Sequence, residues 1–338
     1  MAKKINIGLI GVGRLGKHYA TYLKGRVRGA NLVALCDPEG KALSQCAEET
    51  EVSAMYPNYS DLVESSKIDA VIIVSPTGTH KDVIIAAANA DKAIFCEKPL
   101  CLSLEECAEV QQILEKTGVF FQVGYMRRFD PGYSAAKAKV EAGEIGRPVV
   151  YRGTTRDPHR PSLKFADPKM SGGLFVDMGI HDFDLGRWFM GGVKSVFARG
   201  GVLAYPEMNS INDIDNGVAS LQFESGALGS VDLSRNSIFG YNIFTEIVGT
   251  EGTLKVGYLR ETPVLVMKKE GVSHDATPFF MERFEAAYVK QLQNFIDNLI
   301  EEKSPPVTLE DGVESLKISL AAKQSFDTGQ DVPLKRIF

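Results

Sequence analysis

INIGLIGVGRLG, residues 5–16, decides the fold. Ile5–Ile10 is a compact apolar run that passes straight into Gly11-Val12-Gly13-Arg14-Leu15-Gly16. A Gly-x-Gly-x-x-Gly string alone is weak evidence, so its surroundings matter. A helical stretch, Lys17 to Lys24, follows it, and a second apolar run, Asn31–Cys36, ends in Asp37, 21 residues after Gly16. Strand, glycine turn, helix, strand and acid at that spacing are the parts of a dinucleotide-binding unit. The three glycines then allow, in turn, a tight turn, close approach of a pyrophosphate, and close packing of the helix. The helix start offers free N–H groups and the positive end of its dipole to phosphate. A carboxylate at Asp37 accepts from an adenosine 2′-hydroxyl and repels a 2′-phosphate, and no arginine immediately follows it. NAD is therefore expected over NADP.

Outward from this stretch the alternation continues. Asp61–Ser65 reads as helix, Ala70–Val74 as buried strand, His80–Ala90 as helix and Ala93–Cys96 as strand. Leu104–Lys116 is an amphipathic helix behind a Ser103 cap, and Val119–Val123 is a further strand. Such alternation means a parallel, doubly wound Rossmann sheet with its ligand at the carboxyl edge. Two strand ends there carry chemistry-capable residues, SPTGTH (75–80) and CEKPL (96–100). His80 is either a ligand-facing group or a satisfied residue at a helix start. Lys98 stands between an apolar strand and Pro99, whose ring fixes the turn. A surface lysine needs no such setting.

From about Gly124 the rhythm changes. A helix near Tyr133–Glu141 leads to a strand, Pro148–Thr154, and a loop, RDPHRPS (156–162). Gly173–Met190 reads as helix. Six short runs follow: Lys194–Val202, Asn216–Phe223, Ala227–Ser234, Asn242–Gly249, Gly252–Val256 and Val264–Lys268. Turn residues such as ESGA and GTEG separate them, which suits a large, open, mostly antiparallel sheet of about six strands. Helices at Glu282–Glu301 and Leu309–Phe326 close the chain. The expected fold class is α/β and α+β: a Rossmann domain over residues 1–124, then an α+β domain over residues 125–338 for substrate binding and oligomerisation.

The second part contains FVDMGIHDFDL (175–185), where three aspartates and a histidine interrupt an apolar run. On a helix, Asp177, His181 and Asp184 share one face, since offsets of three and four are neighbours. The stripe is a metal site, an acid/base pair or a solvated edge. A metal would need a third ligand such as His159, but that residue lies on another loop and no HxH or HExxH spacing occurs. No metal is expected.

Bulk properties exclude other classes. The 338 residues are 44% hydrophobic and 24% charged with a net charge of −5, an ordinary globular balance that argues against nucleic acid or an anionic membrane as partner. No apolar run approaches the ~20 residues of a membrane span. All five cysteines lie between Cys36 and Cys107 without a CxxC pair, which reads as reduced, buried thiols. MAKKINIGLIGVG has the two lysines of a signal peptide but runs into the glycine turn without a cleavage site. The expected location is cytoplasmic.

Four strings together, GLIGVGRLG, VSPTGTH, CEKPL and DMGIHDFDLGRW, closely resemble those of the Gfo/Idh/MocA oxidoreductases, in order and across essentially the whole chain. GYMRRFDP (124–131), SRNSIFGY (234–241), IVGTEGTL (247–254) and PFFMERF (278–284) are most similar to the inositol 2-dehydrogenases of that family. The resemblance implies NAD-dependent oxidation of a secondary hydroxyl of a cyclic polyol, with related sugar dehydrogenases and a non-catalytic NAD-binding regulator as alternatives. It implies a catalytic trio of Lys98, Asp177 and His181 on the walls of a cleft between the domains. The cofactor would meet Gly11, Gly13, Arg14, Leu15, Gly16, Asp37, Ser75, Pro76, Thr77, His80, Glu97, Lys98 and Arg127. Met126 would line the nicotinamide side beside Arg127. Lys98, Arg127, Asp157, His159, Asp177, His181 and Tyr241 would bind substrate, with Arg283 a further candidate. The partners implied are a small polyol and further copies of the chain, as a tetramer or dimer.

Overall fold

A computed structural model describes residues 4–257 and 260–336. The chain forms two compact units, Met1–Met126 with Tyr288–Val313, and Arg127–Ala287 with Glu314–Phe338.

In the first unit, β1 (Ile5–Ile10), β2 (Ala30–Cys36), β3 (Ala54–Tyr56), β4 (Ala70–Ile73), β5 (Ala93–Glu97) and β6 (Phe121–Gly124) form one sheet. The order is β3-β2-β1-β4-β5-β6 and every pairing is parallel. Strand order reverses between β1 and β4, so their carboxyl ends flank the crevice where such sheets bind ligands. Helices α1 (Arg14–Gly25), α2 (Gly40–Thr50), α3 (Tyr59–Val63), α4 (His80–Asn89) and α5 (Leu104–Thr117) connect the strands. β4 is sealed on both faces, as a central parallel strand must be. Helix α2 and strand β3 are not evident in the sequence pattern. The Glu39 side chain accepts from the Lys41 and Ala42 N–H groups to start α2, a cap hidden behind Pro38 and Gly40.

In the second unit, α6 (Pro131–Glu141) precedes β7 (Pro148–Arg156). Short helices α7 (Leu163–Ala166), α8 (Pro168–Ser171) and α9 (Leu174–Asp177) lead to α10 (Ile180–Met190). Strands β8 (Val193–Gly201), β9 (Asn216–Phe223), β10 (Leu228–Ser234), β11 (Asn242–Gly249) and β12 (Thr253–Val256) complete most of a sheet. Its order is β12-β11-β7-β10-β9-β8-β15, with β15 at Val332–Pro333 on the edge. The sheet is mixed rather than purely antiparallel, because β7 and β10 run parallel. Val264–Lys268, expected in this sheet, instead contributes β13 (Val266–Lys268), which pairs with β14 (Gly271–Ser273) as a separate hairpin. Every residue of both strands is exposed, so no buried face draws them onto the large sheet.

The final helices α11 (Phe280–Glu301) and α12 (Leu309–Thr328) each supply residues to both units. The stretch Gly173–Met190, expected as one helix, is two: α9 stops at Asp177, and α10 begins at Ile180 after a turn at Met178 and Gly179. At Gly179 a Cβ would stand 2.6 Å from the Phe175 carbonyl oxygen. Only glycine permits that approach, and it is where the helix is re-aimed.

Candidate functional site

The carboxyl edge of the Rossmann sheet is built from the glycine turn. Gly11 has φ +92°, and a Cβ there would lie 2.6 Å from the Ser75 backbone nitrogen. A Cβ on Gly16 would come 2.0 Å from the Gly11 carbonyl oxygen, so this glycine lets α1 pack on the turn. Gly13 differs: it is exposed, and a Cβ would meet no atom within 4 Å. Gly13 is also the N-cap of α1 and makes no side-chain cap, which leaves the helix's first N–H groups to an outside acceptor. Open space before uncapped N–H groups suits a pyrophosphate. Asp37 accepts from Val12 N–H at 2.8 Å and Glu39 N–H at 2.9 Å. Each carboxylate oxygen keeps a further lone pair for a ribose hydroxyl. Arg14 is exposed and Leu15 half-buried at the start of α1. These residues fit a dinucleotide.

The adjoining strand ends qualify two expectations. His80, at the start of α4, is 1% exposed, with Nδ1 2.8 Å from the Pro99 carbonyl and Nε2 2.9 Å from the Ser75 carbonyl. Both ring nitrogens face backbone carbonyls, so His80 sits between the Ser75 loop and the turn after Lys98, its one N–H donating to one of them. Burial holds its pKa below the ordinary value. Glu97 is likewise turned inward: its Oε1 accepts from Tyr19 OH and, at 3.2 Å, from Gln291, and its Oε2 from Lys98 N–H at 3.1 Å. Burial raises this carboxyl above its usual range. Lys98 itself is half-buried and precedes a cis peptide to Pro99. Ser75 and Thr77 are half-buried and Pro76 exposed; Ser75 Oγ pairs with Thr79 Oγ1 at 2.7 Å.

In the second unit the polar stripe separates into distinct environments. Asp182 is completely buried; it accepts from Arg127 Nη1 at 3.1 Å and from Thr155 Oγ1 at 2.5 Å, while Arg127 Nη2 donates to Thr155 Oγ1 at 2.8 Å. Desolvation opposes charge on both partners, and the Asp182 carboxylate nevertheless lifts the Arg127 pKa above its ordinary value. The Asp182 carbonyl accepts from Tyr151 OH at 2.9 Å, and a Cβ on Gly153 would meet Asp182 Oδ1 at 2.8 Å, so β7 is shaped to seat α10. Asp184, part of the stripe read as a metal site, an acid/base pair or a solvated edge, is instead sealed in an ion pair. It is 1% exposed and accepts from Arg128 Nε at 2.9 Å and from Ser315 at 3.3 Å. Asp177 remains 15% exposed, and its Oδ2 lies 3.4 Å from Nη2 of the buried Arg235. His181 is 8% exposed in the first turn of α10.

Arg127, expected to contact cofactor and substrate, spends its Nη groups inside the protein, 1% exposed, with its guanidinium 5.6 Å above the Phe284 ring. Met126 is also buried. Tyr241 is buried beside Arg127, and burial raises its phenol pKa. Its ring meets Phe279 edge-on at 5.7 Å, and exposed His159 lies over the same Phe279 at 5.1 Å. Asp157 is half-buried, its N–H donating to the Ser234 carbonyl at 2.8 Å. Tyr241, His159 and Phe279 thus share one aromatic cluster. Arg283 is elsewhere engaged, donating to buried Asp130 at 2.7 Å. Among the described residues no group of three or more His, Cys, Asp or Glu side chains could hold a metal ion. All five cysteines are free and buried, and burial pushes the Cys36 thiol up to about 12.

Residues 5–125 match the model of an oxidoreductase family with an NAD-binding Rossmann fold, and residues 137–334 match that family's C-terminal α/β domain. The chain belongs to the Gfo/Idh/MocA oxidoreductase family. Among its relatives, the scyllo-inositol 2-dehydrogenase (NAD(+)) of Bacillus subtilis is 42% identical over 99% of this chain and 97% of its own. The myo-inositol 2-dehydrogenase of Thermotoga maritima is 38% identical over 98% and 99%. The crystal structure of scyllo-inositol dehydrogenase from Lactobacillus casei with bound NAD(H) and scyllo-inositol superposes with a TM-score of 0.94 at 36% identity, covering 98% of this chain and all of that one. In this Gfo/Idh/MocA chain, sequence reasoning missed Arg235, the partner of Asp177, and gave Asp182 no separate role within the stripe. Arg235 carried a signal, being a basic residue that directly follows an apolar strand within SRNSIFGY.

Proposed function

We propose that this chain oxidises a ring hydroxyl of an inositol to the ketone with NAD, as the names of its relatives indicate for them. The observation that carries the reading is the fate of the acids in the stripe. Asp182 and Asp184 are sealed in arginine pairs, whereas Asp177, four residues before His181, keeps contact with solvent. When bound, NAD supplies the hydride acceptor. The remaining work falls to the chain. His181, an imidazole and so the residue type suited to general-base work near neutral pH, removes the hydroxyl proton. Asp177 steadies the imidazolium, and the Lys98 ammonium donates to the reacting oxygen and favours developing alkoxide charge. Gly11, Gly13 and Gly16 shape the pyrophosphate site, and Asp37 takes the adenosine ribose. Tyr241, His159 and Asp157 supply donors and acceptors for the other ring hydroxyls.

The test is NADH formation across inositols, pyranoses, acyclic polyols and simple alcohols. Inositols should give the highest kcat/KM, with pyranoses next; an acyclic or apolar alcohol ahead of every ring polyol would sink the reading. His181→Ala should lower kcat by roughly 10²–10⁴-fold with little change in NAD affinity. Exhaustive chelation should leave the wild type active, because neither role needs a metal. A wild type silenced by chelator and restored by zinc or manganese would remove His181 and Asp177 from acid/base duty. We further read the chain as cytoplasmic and homo-oligomeric, with residues 1–124 serving NAD and residues 125–338 serving substrate and assembly. No helix among the described residues is long and apolar enough to cross a membrane.

A further inference from the structure

Arg235 is a charged side chain only 1% exposed, and it stands directly after β10. Its N–H donates to the Asp215 carbonyl at 2.9 Å, which fixes the backbone there. Its Nη2 lies 3.4 Å from Asp177 Oδ2. A second carboxylate belongs to the same group. Asp213, 9% exposed, feels Arg235 as an attracting charge and Asp177 as a repelling one, while burial raises its pKa. Asp213 Oδ1 accepts from Leu174 N–H at 3.1 Å, and its Oδ2 has no hydrogen-bond partner. Leu174 opens α9, the turn that ends in Asp177. Gly173 permits this contact: it has φ +82°, and a Cβ on it would stand 2.8 Å from Asp213 Oδ1.

The two residues therefore hold the Asp177 turn at both ends. Asp213 anchors its first N–H and Arg235 its last side chain. Arg235 also attracts the Asp213 carboxylate, so two carboxylates and one guanidinium share this buried setting. Such a group accepts a neighbouring cation readily. An imidazolium formed on His181 during turnover is a cation of that kind.

We propose that Arg235 and Asp213 are positioning residues that act on the reaction through Asp177. The proposal rests on the reading of Asp177 as His181's partner. It also accounts for the glycine pair Gly172-Gly173, whose positive φ values bring the turn up to Asp213.

The test is a mutant cycle on the full-length enzyme with an inositol as substrate. Arg235→Lys keeps the charge and loses the second nitrogen; Asp213→Asn keeps a carbonyl acceptor for Leu174 N–H and removes the charge. Each should lower kcat by about 10–100-fold, the usual scale for partners that orient a functional side chain. NADH affinity, read by fluorescence titration, should hold within about twofold if the effect is confined to chemistry. In an Asp177→Asn background, Arg235→Lys should change kcat less than about twofold, because the contact it loosens no longer has its charged partner. A structural defect would instead multiply through that background. Should Arg235→Lys fail to fold, Asp213→Asn in the same cycle gives the same decision. Wild-type kcat for both single variants, or effects that multiply fully with Asp177→Asn, overturns the proposal while leaving Asp177 its role. An Asp177→Asn enzyme at the wild-type rate removes that role and this proposal with it.

Discussion

Asp177, Asp182 and Asp184 are one residue type within eight positions, and their surroundings assign them different work. Burial against arginine makes two of them structural, since a buried carboxylate is tolerated only when paired. Glu97 shows the same rule in the Rossmann unit and gives a test of it. Its carboxyl is pushed above the usual range chiefly by burial, against hydrogen bonds from Tyr19 and the electrostatic pull of Lys98. A carboxyl with a raised folded pKa contributes most below its unfolded value, near ~4.3, and loses that contribution as pH rises through the folded one. Glu97→Gln does not titrate. Its Tm minus that of the wild type should therefore climb as pH rises from about 4 towards neutrality. A difference that stays flat or falls over that window would contradict the assignment. At Asp37, where both oxygens already hold backbone N–H groups, Asp37→Ser should lower kcat/KM for NAD and shift the NAD-to-NADP ratio towards NADP.

At the scale of elements, the glycine turn separates binding from stability. Gly13→Ala adds a methyl where no protein atom lies within 4 Å, so Tm should hardly move while KM for NAD rises roughly tenfold or more, about 1.4 kcal/mol. Gly16→Ala drives a methyl to 2.0 Å from a carbonyl oxygen and should cost roughly 1–3 kcal/mol of stability. Circular dichroism melts beside NAD kinetics check the pair; equal effects on both readouts would show that Gly13 faces protein rather than ligand. This turn was legible in the sequence because glycine spacing, flanking strands and Asp37 all depend on local chain order. So were β1, β9 and β11, whose bounds agree with the structure residue for residue. The break between α9 and α10 was not legible. Apolar periodicity runs through Gly179 unchanged, and part of what crowds that glycine is tertiary: Leu233 of β10 would meet a Cβ there at 2.9 Å, beside the nearer Phe175 carbonyl at 2.6 Å. The pairs Arg127–Asp182, Arg128–Asp184 and Arg235–Asp177 escaped for the same reason, since partners 55 to 58 residues apart leave no mark in local patterning.

At the scale of the molecule, one face of the large sheet presents exposed residues along β9 and β10. Along β9, Val218, Ser220 and Gln222 are exposed between buried neighbours, and Leu228 on β10 is 57% exposed. Register places Leu228 beside Val150, and Val218 between Arg199 and Asp232, on that same face. Ion pairs ring these apolar positions: Arg156–Asp232 at 2.8 Å, and Arg152–Glu246 and Lys255–Glu246 at 3.0 Å. Apolar residues ringed by charge on a flat sheet are what a self-complementary interface needs, and a stable one buries roughly 1,200–2,000 Å². Light scattering on the purified chain should therefore give a multiple of 36.9 kDa. Val218→Glu combined with Leu228→Glu adds charge at two positions already facing solvent, so the fold should survive while the assembly dissociates to 36.9 kDa. Retention of far-ultraviolet circular dichroism by the double variant distinguishes dissociation from unfolding. A wild type that scatters as a single chain at micromolar concentration would remove the assembly altogether, and a double variant that keeps the wild-type mass would place the subunit contact somewhere other than this face.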